Sequence, residues 1–122
     1  MIAMNASHPQ DTTRRSSALL TDKYELTMLD AAIKDGTADR QVSFEVFARR
    51  LPGQRRYGVV AGTDRVLRTV RDFVFTDEQL EYLDFLSDET IDYLRHYRFS
   101  GHVDGYCEGE LYFPYSPILT VR

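Results

Sequence analysis

Two capping signatures fix where helices begin in this chain. Asp22 is followed by Glu25, and Thr76 by Gln79, spacings at which each side chain reaches an orphan backbone N–H of the other residue. After the first, Leu26, Leu29 and Ile33 recur at helical spacing, and Tyr24, Met28, Ala31 and Ala32 broaden the stripe. Gly36 then offers a C-terminal cap, so the pattern predicts a helix over 23–35. After the second, Leu80, Leu83 and Leu86 extend the helix that Thr76 opens, and Ile91, Leu94 and Tyr97 predict a short one over 89–97.

Between the two signatures the period changes. Val42 to Ala48 alternates apolar with small or polar residues and is rich in β-branched and aromatic types, which predicts a strand through Leu51, ended by Pro52-Gly53. Tyr57 to Phe73 returns to helical spacing through Val59, Val60, Thr63, Val66, Leu67 and Val70. A Gly62 inside that helix costs about 1 kcal/mol relative to Ala. Two strands are expected near the end, over 102–113 and 118–122, with Pro114 and Pro117 bracketing their link. Gly105, Gly109 and Pro114 weaken the first of them as a regular central strand. The last is expected to be either a terminal edge strand or the point at which a longer sequence is interrupted. The order is helix, strand, three helices, two strands, an α/β chain of the α+β type with mixed helices and a small sheet. Residues 1–17 are polar and read as a flexible leader, leaving one domain over 18–122.

Composition narrows the classes. The 122 residues suit one domain. A stretch of about 20 apolar residues, as a membrane-spanning helix needs, is missing. One cysteine, Cys107, excludes an internal disulfide framework and a cysteine-cluster metal site, and a reducing cytoplasm is the expected compartment. A net charge of −4 does not suit a nucleic-acid binder.

That charge is unevenly spread. Residues 49–71 hold seven arginines and one acid, whereas 76–94 hold seven acids and no Lys or Arg. One reading makes these two solvated helix faces that attract each other. The other turns part of the arginine block towards a phosphorylated ligand, because guanidinium forks suit phosphate oxygens. Composition leaves both open.

Catalytic constellations are sparse. His8 lies in the leader, His96 falls on a helix among Tyr93, Tyr97 and Arg98, and His102 starts a strand without an orienting carboxylate. No histidine or acidic pair has metal-ligand spacing, and no phosphate-cradling glycine loop is present. Cys107, alone in an expected strand, reads as a small core residue. Tyr24 stands apart: in the first turn of a helix it is either a core residue or a ring able to stack on a flat ligand while the helix start attracts its charge. Arg49 and Arg50 end a strand, a common place for site residues.

Several segments together resemble one family. They are Leu19-Leu20-Thr21-Asp22-Lys23-Tyr24-Glu25-Leu26-Thr27-Met28, Phe44-Glu45-Val46-Phe47-Ala48-Arg49-Arg50-Leu51-Pro52, Val60-Ala61-Gly62-Thr63, the stretch from Tyr93-Leu94-Arg95 to Phe99-Ser100-Gly101, Glu108-Gly109-Glu110-Leu111-Tyr112-Phe113-Pro114 and Pro117-Ile118-Leu119-Thr120-Val121. In this order they resemble the nicotinate phosphoribosyltransferases over about residues 18–122. The resemblance implies the N-terminal domain of a type II phosphoribosyltransferase, without the α/β barrel that follows it in the family. It implies an enzyme of NAD salvage, with ligase and glycosyltransferase chemistry. Such an enzyme joins nicotinate to phosphoribosyl pyrophosphate, releases pyrophosphate, couples the reaction to ATP hydrolysis through a phosphorylated histidine and uses Mg²⁺. A cytoplasmic homodimer is implied. Tyr24 takes the role of the ring that stacks on nicotinate, Asp22 shapes that helix start or sits near the diphosphate, and Arg49 and Arg50 contact phosphate groups.

Family chains are several times longer, so the phosphohistidine and the phosphoribosyl site are expected beyond Arg122. None of His8, His96 or His102 inherits that role, and no catalytic or metal-binding residue is assigned in this segment. The segment by itself is therefore expected to be inactive and to bind neither ATP nor Mg²⁺. The alternatives are a nicotinamide or quinolinate phosphoribosyltransferase fragment, a non-catalytic module that pairs with full-length subunits, and a remnant that does not fold.

Overall fold

A computed structural model describes residues 16–122. Most of the expected leader lies outside the described residues, but its last two members are anchored. Ser16 Oγ donates to the Val74 carbonyl, Gln79 Nε2 donates to the Ser16 carbonyl at 3.2 Å, and Leu20 N–H donates to Ser17 O at 2.9 Å.

The elements run α1 (Lys23–Lys34), β1 (Phe44–Val46), β2 (Gly58–Val59), α2 (Thr63–Arg71), α3 (Asp77–Glu81), α4 (Asp88–His96), β3 (Val103–Gly105), β4 (Leu111–Tyr112) and β5 (Leu119–Val121). The mixed helices and small antiparallel sheets match the expected α+β architecture. Both capping signatures open helices. Asp22 N–H donates to Glu25 Oε2 at 3.1 Å, and Thr76 exchanges two hydrogen bonds with Gln79 at 3.1 and 3.2 Å.

The core is helical. Leu26 of α1, Leu80 of α3, Leu83 and Leu86 of the α3–α4 link and Leu94 of α4 form one buried cluster, with Leu94 only 2% exposed. A polar tie beside it locks α1 to α4. Asp30 Oδ1 accepts from Ser87 N–H at 3.0 Å, from Ser87 Oγ at 2.6 Å and from the hydroxyl of the fully buried Thr90 at 2.7 Å. Lys34 adds an ion pair to the same carboxylate at 2.6 Å. Lys34, then Ser87 and Thr90, hold the Asp30 carboxyl far below the usual carboxylate range.

The strands form two sheets, with order β1-β5-β3 and β2-β4, all antiparallel. The expected edge strand at the end of the chain is instead the centre of the larger sheet. The register aligns Phe44, Val121 and Val103 in one row, Val46, Leu119 and Gly105 in another, and Glu45, Thr120 and Asp104 between them. Since alternate rows point to opposite faces, one face is apolar and the other polar. The apolar face is closed only in part: Leu119 is buried, whereas Phe44 and Val46 at the β1 edge are exposed.

Several expectations are corrected. The helix opened at Thr76 ends at Glu81, leaving Leu83 and Leu86 in the link. The helix over 57–73 is a short strand followed by the shorter α2, because Gly62 is not interior. It is the N-cap of α2 at φ +94°, a left-handed conformation that glycine adopts without a Cβ clash. The strand over 102–113 is two strands in different sheets, separated by a turn in which Glu110 N–H donates to Cys107 O at 3.2 Å. Cys107 is exposed in that turn rather than buried in a strand. The strand expected through Leu51 pairs only over Phe44–Val46, with Arg49 and Arg50 in the loop beyond it.

Candidate functional site

The start of α1 is built by its own side chains. Glu25 accepts from the Thr21 hydroxyl and from Asp22 N–H, and these bonds, that of Thr21 first, keep its carboxyl below the ordinary range. Lys23 Nζ lies 4.1 Å from the centroid of the Phe85 ring, a cation–π contact that ties the helix start to the α3–α4 link. Leu26 turns into the core. The opposite side is open: Tyr24 is 60% exposed and Met28, one turn on, is exposed as well. Of the two readings of Tyr24, the core residue is excluded. What remains is an apolar ring presented at the positive end of a twelve-residue helix, able to lie against a flat, negatively charged ligand. Asp22 is the N-cap of that same helix and is itself exposed.

Arg49 and Arg50 lie elsewhere, in the loop after β1. Both are exposed, and neither makes an ion pair or side-chain hydrogen bond among the described residues. No hydrogen bond or ring contact joins Tyr24 to them. The structure thus brings Asp22 and Tyr24 together on one element and places the arginine pair on another: α1 rests on α4, and β1 pairs with β5.

The oppositely charged blocks do not neutralise each other. Arg68 pairs with Asp64 inside its own block, Arg71 pairs with the adjoining Asp72, and Arg95 reaches Asp77 at 3.5 Å and Asp92 at 3.7 Å. No ion pair between described residues joins 49–71 to 76–94, and the arginines of the first block and the acids of the second are all exposed, which fits solvated faces without contact between them. Arg55 and Arg56 line an open cavity of about 650 Å³ with Gln54, Tyr57, Gly58 and Val59.

His96 is on the exposed last turn of α4, its Nδ1 2.9 Å from Asp92 O. His102 is exposed at the foot of β3. Among the described residues no group of three His, Cys, Asp or Glu is placed to hold a metal ion. Nor is any helix among them long and apolar enough to cross a membrane. Sequence reasoning missed Asp30. Its spacing to Lys34 is legible, but its partners Ser87 and Thr90 are far away in sequence. It also missed Tyr115, whose backbone N–H donates to Ala48 O at 2.9 Å.

Fold and surface define a class: a small α+β domain with a closed helical core, an aromatic ring presented at the start of its first helix, a sheet left partly open on its apolar face and an arginine-bearing loop at its rim. Comparison with known proteins makes the class specific. Residues 19–122 match the model of the nicotinate phosphoribosyltransferase N-terminal domain. The chain is 61% identical over 107 residues to the nicotinate phosphoribosyltransferase pncB1 of Mycobacterium tuberculosis, a match covering 87% of this chain and 24% of that protein. It is 38% identical over 115 residues to the nicotinate phosphoribosyltransferase of Bacillus subtilis, covering 88% of this chain and 22% of that one. The crystal structure of human nicotinic acid phosphoribosyltransferase shares the fold with a TM-score of 0.73 at 29% identity, over 83% of this chain and 21% of that one. The chain belongs to the nicotinate phosphoribosyltransferase family through its N-terminal domain, and it spans about a quarter of the length of the curated relatives it matches.

Proposed function

We propose that this chain supplies the base-stacking and phosphate-contacting N-terminal part of a nicotinate phosphoribosyltransferase, the enzyme that forms nicotinate mononucleotide and pyrophosphate from nicotinate and phosphoribosyl pyrophosphate. The observation that carries this reading is the exposed ring of Tyr24 on a helix start held by Thr21, Asp22, Glu25 and the Lys23–Phe85 contact. Loss of pyrophosphate leaves positive charge on the ribose, so the pyridine ring must be held in line with the anomeric carbon. Positioning of this kind supplies about 7–11 kcal/mol of a barrier. Tyr24 holds the ring flat, Asp22 sets the helix start that aims it, and Arg49 and Arg50 take phosphate oxygens through guanidinium forks.

In this reading ATP coupling, Mg²⁺ and a homodimeric cytoplasmic enzyme belong to the whole protein. In the same reading the chain alone does not turn over. Two measurements test the proposal. Incubating the purified chain with nicotinate, phosphoribosyl pyrophosphate and ATP yields no nicotinate mononucleotide above background; product would overturn the assignment of catalysis to the remainder of the protein. Replacing the tyrosine equivalent to Tyr24 by Leu in the Mycobacterium tuberculosis relative raises KM for nicotinate or lowers kcat. Unchanged values for both would sink the stacking role.

The open sheet surfaces favour a second reading, in which the chain is an interaction module that pairs with full-length subunits. Size-exclusion chromatography with an intact homologue decides it: a stable complex supports the module, and independent elution removes it.

A further inference from the structure

Tyr115 is the sole non-glycine residue with positive φ among the described residues, at +65°. Side chains crowd the backbone there, and an aromatic residue in that region is held only by its surroundings. The holding contacts are the Tyr115 N–H bond to Ala48 O at 2.9 Å and the Ser116 N–H bond to Phe113 O at 3.1 Å, in a segment flanked by Pro114 and Pro117. Burial does not compensate, because the residue is 71% exposed. Its ring centroid lies 5.9 Å from that of Phe47, with the planes 35° apart, and Phe47 is itself 39% exposed. The carbonyl that anchors Tyr115 belongs to the residue before Arg49, so a two-ring shelf is fixed at the strand end that carries the unpaired arginines. Among the described residues no other exposed apolar group combines a left-handed backbone, a second ring and adjoining arginines without an ion pair.

We propose that the Phe47–Tyr115 ring pair and the Arg49–Arg50 guanidiniums form one recognition surface for a planar ring that carries a phosphate ester, with Tyr115 as its specificity-determining residue. Guanidinium forks take the phosphate, and the tilted rings take the flat group. The inference rests on the proposed reading of Arg49 and Arg50 as phosphate contacts, and it extends that reading to a residue which neither the motifs nor the comparisons assign.

The test titrates the full chain with nicotinate mononucleotide and with inorganic pyrophosphate, followed by NMR. The mononucleotide is expected to shift the ring signals of Phe47 and Tyr115, and both probes to shift the amides of Arg49 and Arg50. Tyr115→Asn suits the left-handed backbone and so melts at a higher temperature than the wild type. It is expected to bind the mononucleotide about tenfold more weakly and pyrophosphate equally well, whereas Tyr115→Phe binds both as the wild type does. Equal mononucleotide binding by Tyr115→Asn and wild type overturns the inference, as does the lack of saturable binding of the mononucleotide by the wild type. Tyr24→Leu separates the two ideas. If it weakens mononucleotide binding and Tyr115→Asn does not, the shelf is wrong and the stacking role of Tyr24 stands. The reverse pattern keeps the shelf and removes Tyr24.

Discussion

The helical half and the sheet half of this domain solve the burial problem differently. Around α1, α3 and α4, leucines at helical spacing converge on one cluster, and Leu26, Leu80, Leu83, Leu86 and Leu94 are all buried. Among the strands, Leu119 and the adjoining Val60 are buried, while Phe44, Val46, Val59, Leu111 and Phe113 stay exposed. The amphipathic α2 behaves like the strands, with no buried residue and with Val66 and Leu67 open. Stability is therefore concentrated in the helices, and adhesive surface in the sheets. The residues proposed to meet ligand lie at the borders: Tyr24 on the outer side of the helical half, and Arg49, Arg50 and Tyr115 at the rim of the larger sheet.

The largest effect expected from this contrast is in the core. Leu94→Ala should cost about 2–5 kcal/mol, read by urea or thermal unfolding, while Phe44→Ala at the exposed β1 edge should stay within about 0.5 kcal/mol. Similar losses at the two positions would break the comparison.

Gly105→Ala probes the larger sheet at its β3 edge. A Cβ there would lie 2.5 Å from Ile118 O and from a Leu119 methyl. Overpacking of this kind costs about 1–3 kcal/mol. Amide exchange should quicken across β3 and β5 and remain slow in α1 and α4. Uniform acceleration would mean that the halves unfold as one unit.

Acid should act on the helical half first. Asp30 has a folded-state pKa held below its unfolded value by Lys34, Ser87 and Thr90. The stability it contributes is present above the ordinary carboxylate pKa and is lost as pH falls below it towards the folded value. Asp30→Asn should therefore lower Tm at neutral pH and flatten the dependence of Tm on pH between about 4 and 2. A variant with the wild-type slope would show that the Ser87–Thr90 tie does not depend on charge. A small effect is also expected of Arg95→Ala, whose two ion pairs at 3.5 and 3.7 Å are exposed and contribute less than about 1 kcal/mol.

These halves were also unequally legible in the sequence. The helix starts were plain because capping is local: Asp22 with Glu25 and Thr76 with Gln79 each act over three residues. The end of α1 followed from Gly36 as a cap, and the extent of α4 from the helical spacing of Ile91, Leu94 and Tyr97. The segment 57–73 misled because Val59, Val60, Val66, Leu67 and Val70 keep a helical period across Gly62, and the period says nothing about its left-handed φ. The split of 102–113 turned on which partner each piece finds, β5 for Val103–Gly105 and β2 for Leu111–Tyr112, and pairing over such separations leaves no local mark. At the site, Tyr24 was found by its place after a cap. Its exposure could not be read, because Leu26 and Met28 are equally apolar yet face opposite ways. Asp30 and Tyr115 depend on contacts with residues distant in the chain and were not visible.

The central position of β5 has a consequence for synthesis. Phe44–Val46 and Val103–Gly105 do not pair with each other; both wait for Leu119–Val121, which leaves the ribosome after them. The residues of α1, α3 and α4 have emerged by then, so the leucine cluster can close on the nascent chain while the larger sheet is still two unjoined ribbons. The apolar edge of β1 is thus open to the wrong neighbour until β5 follows it, and a chaperone that shields extended segments would act there.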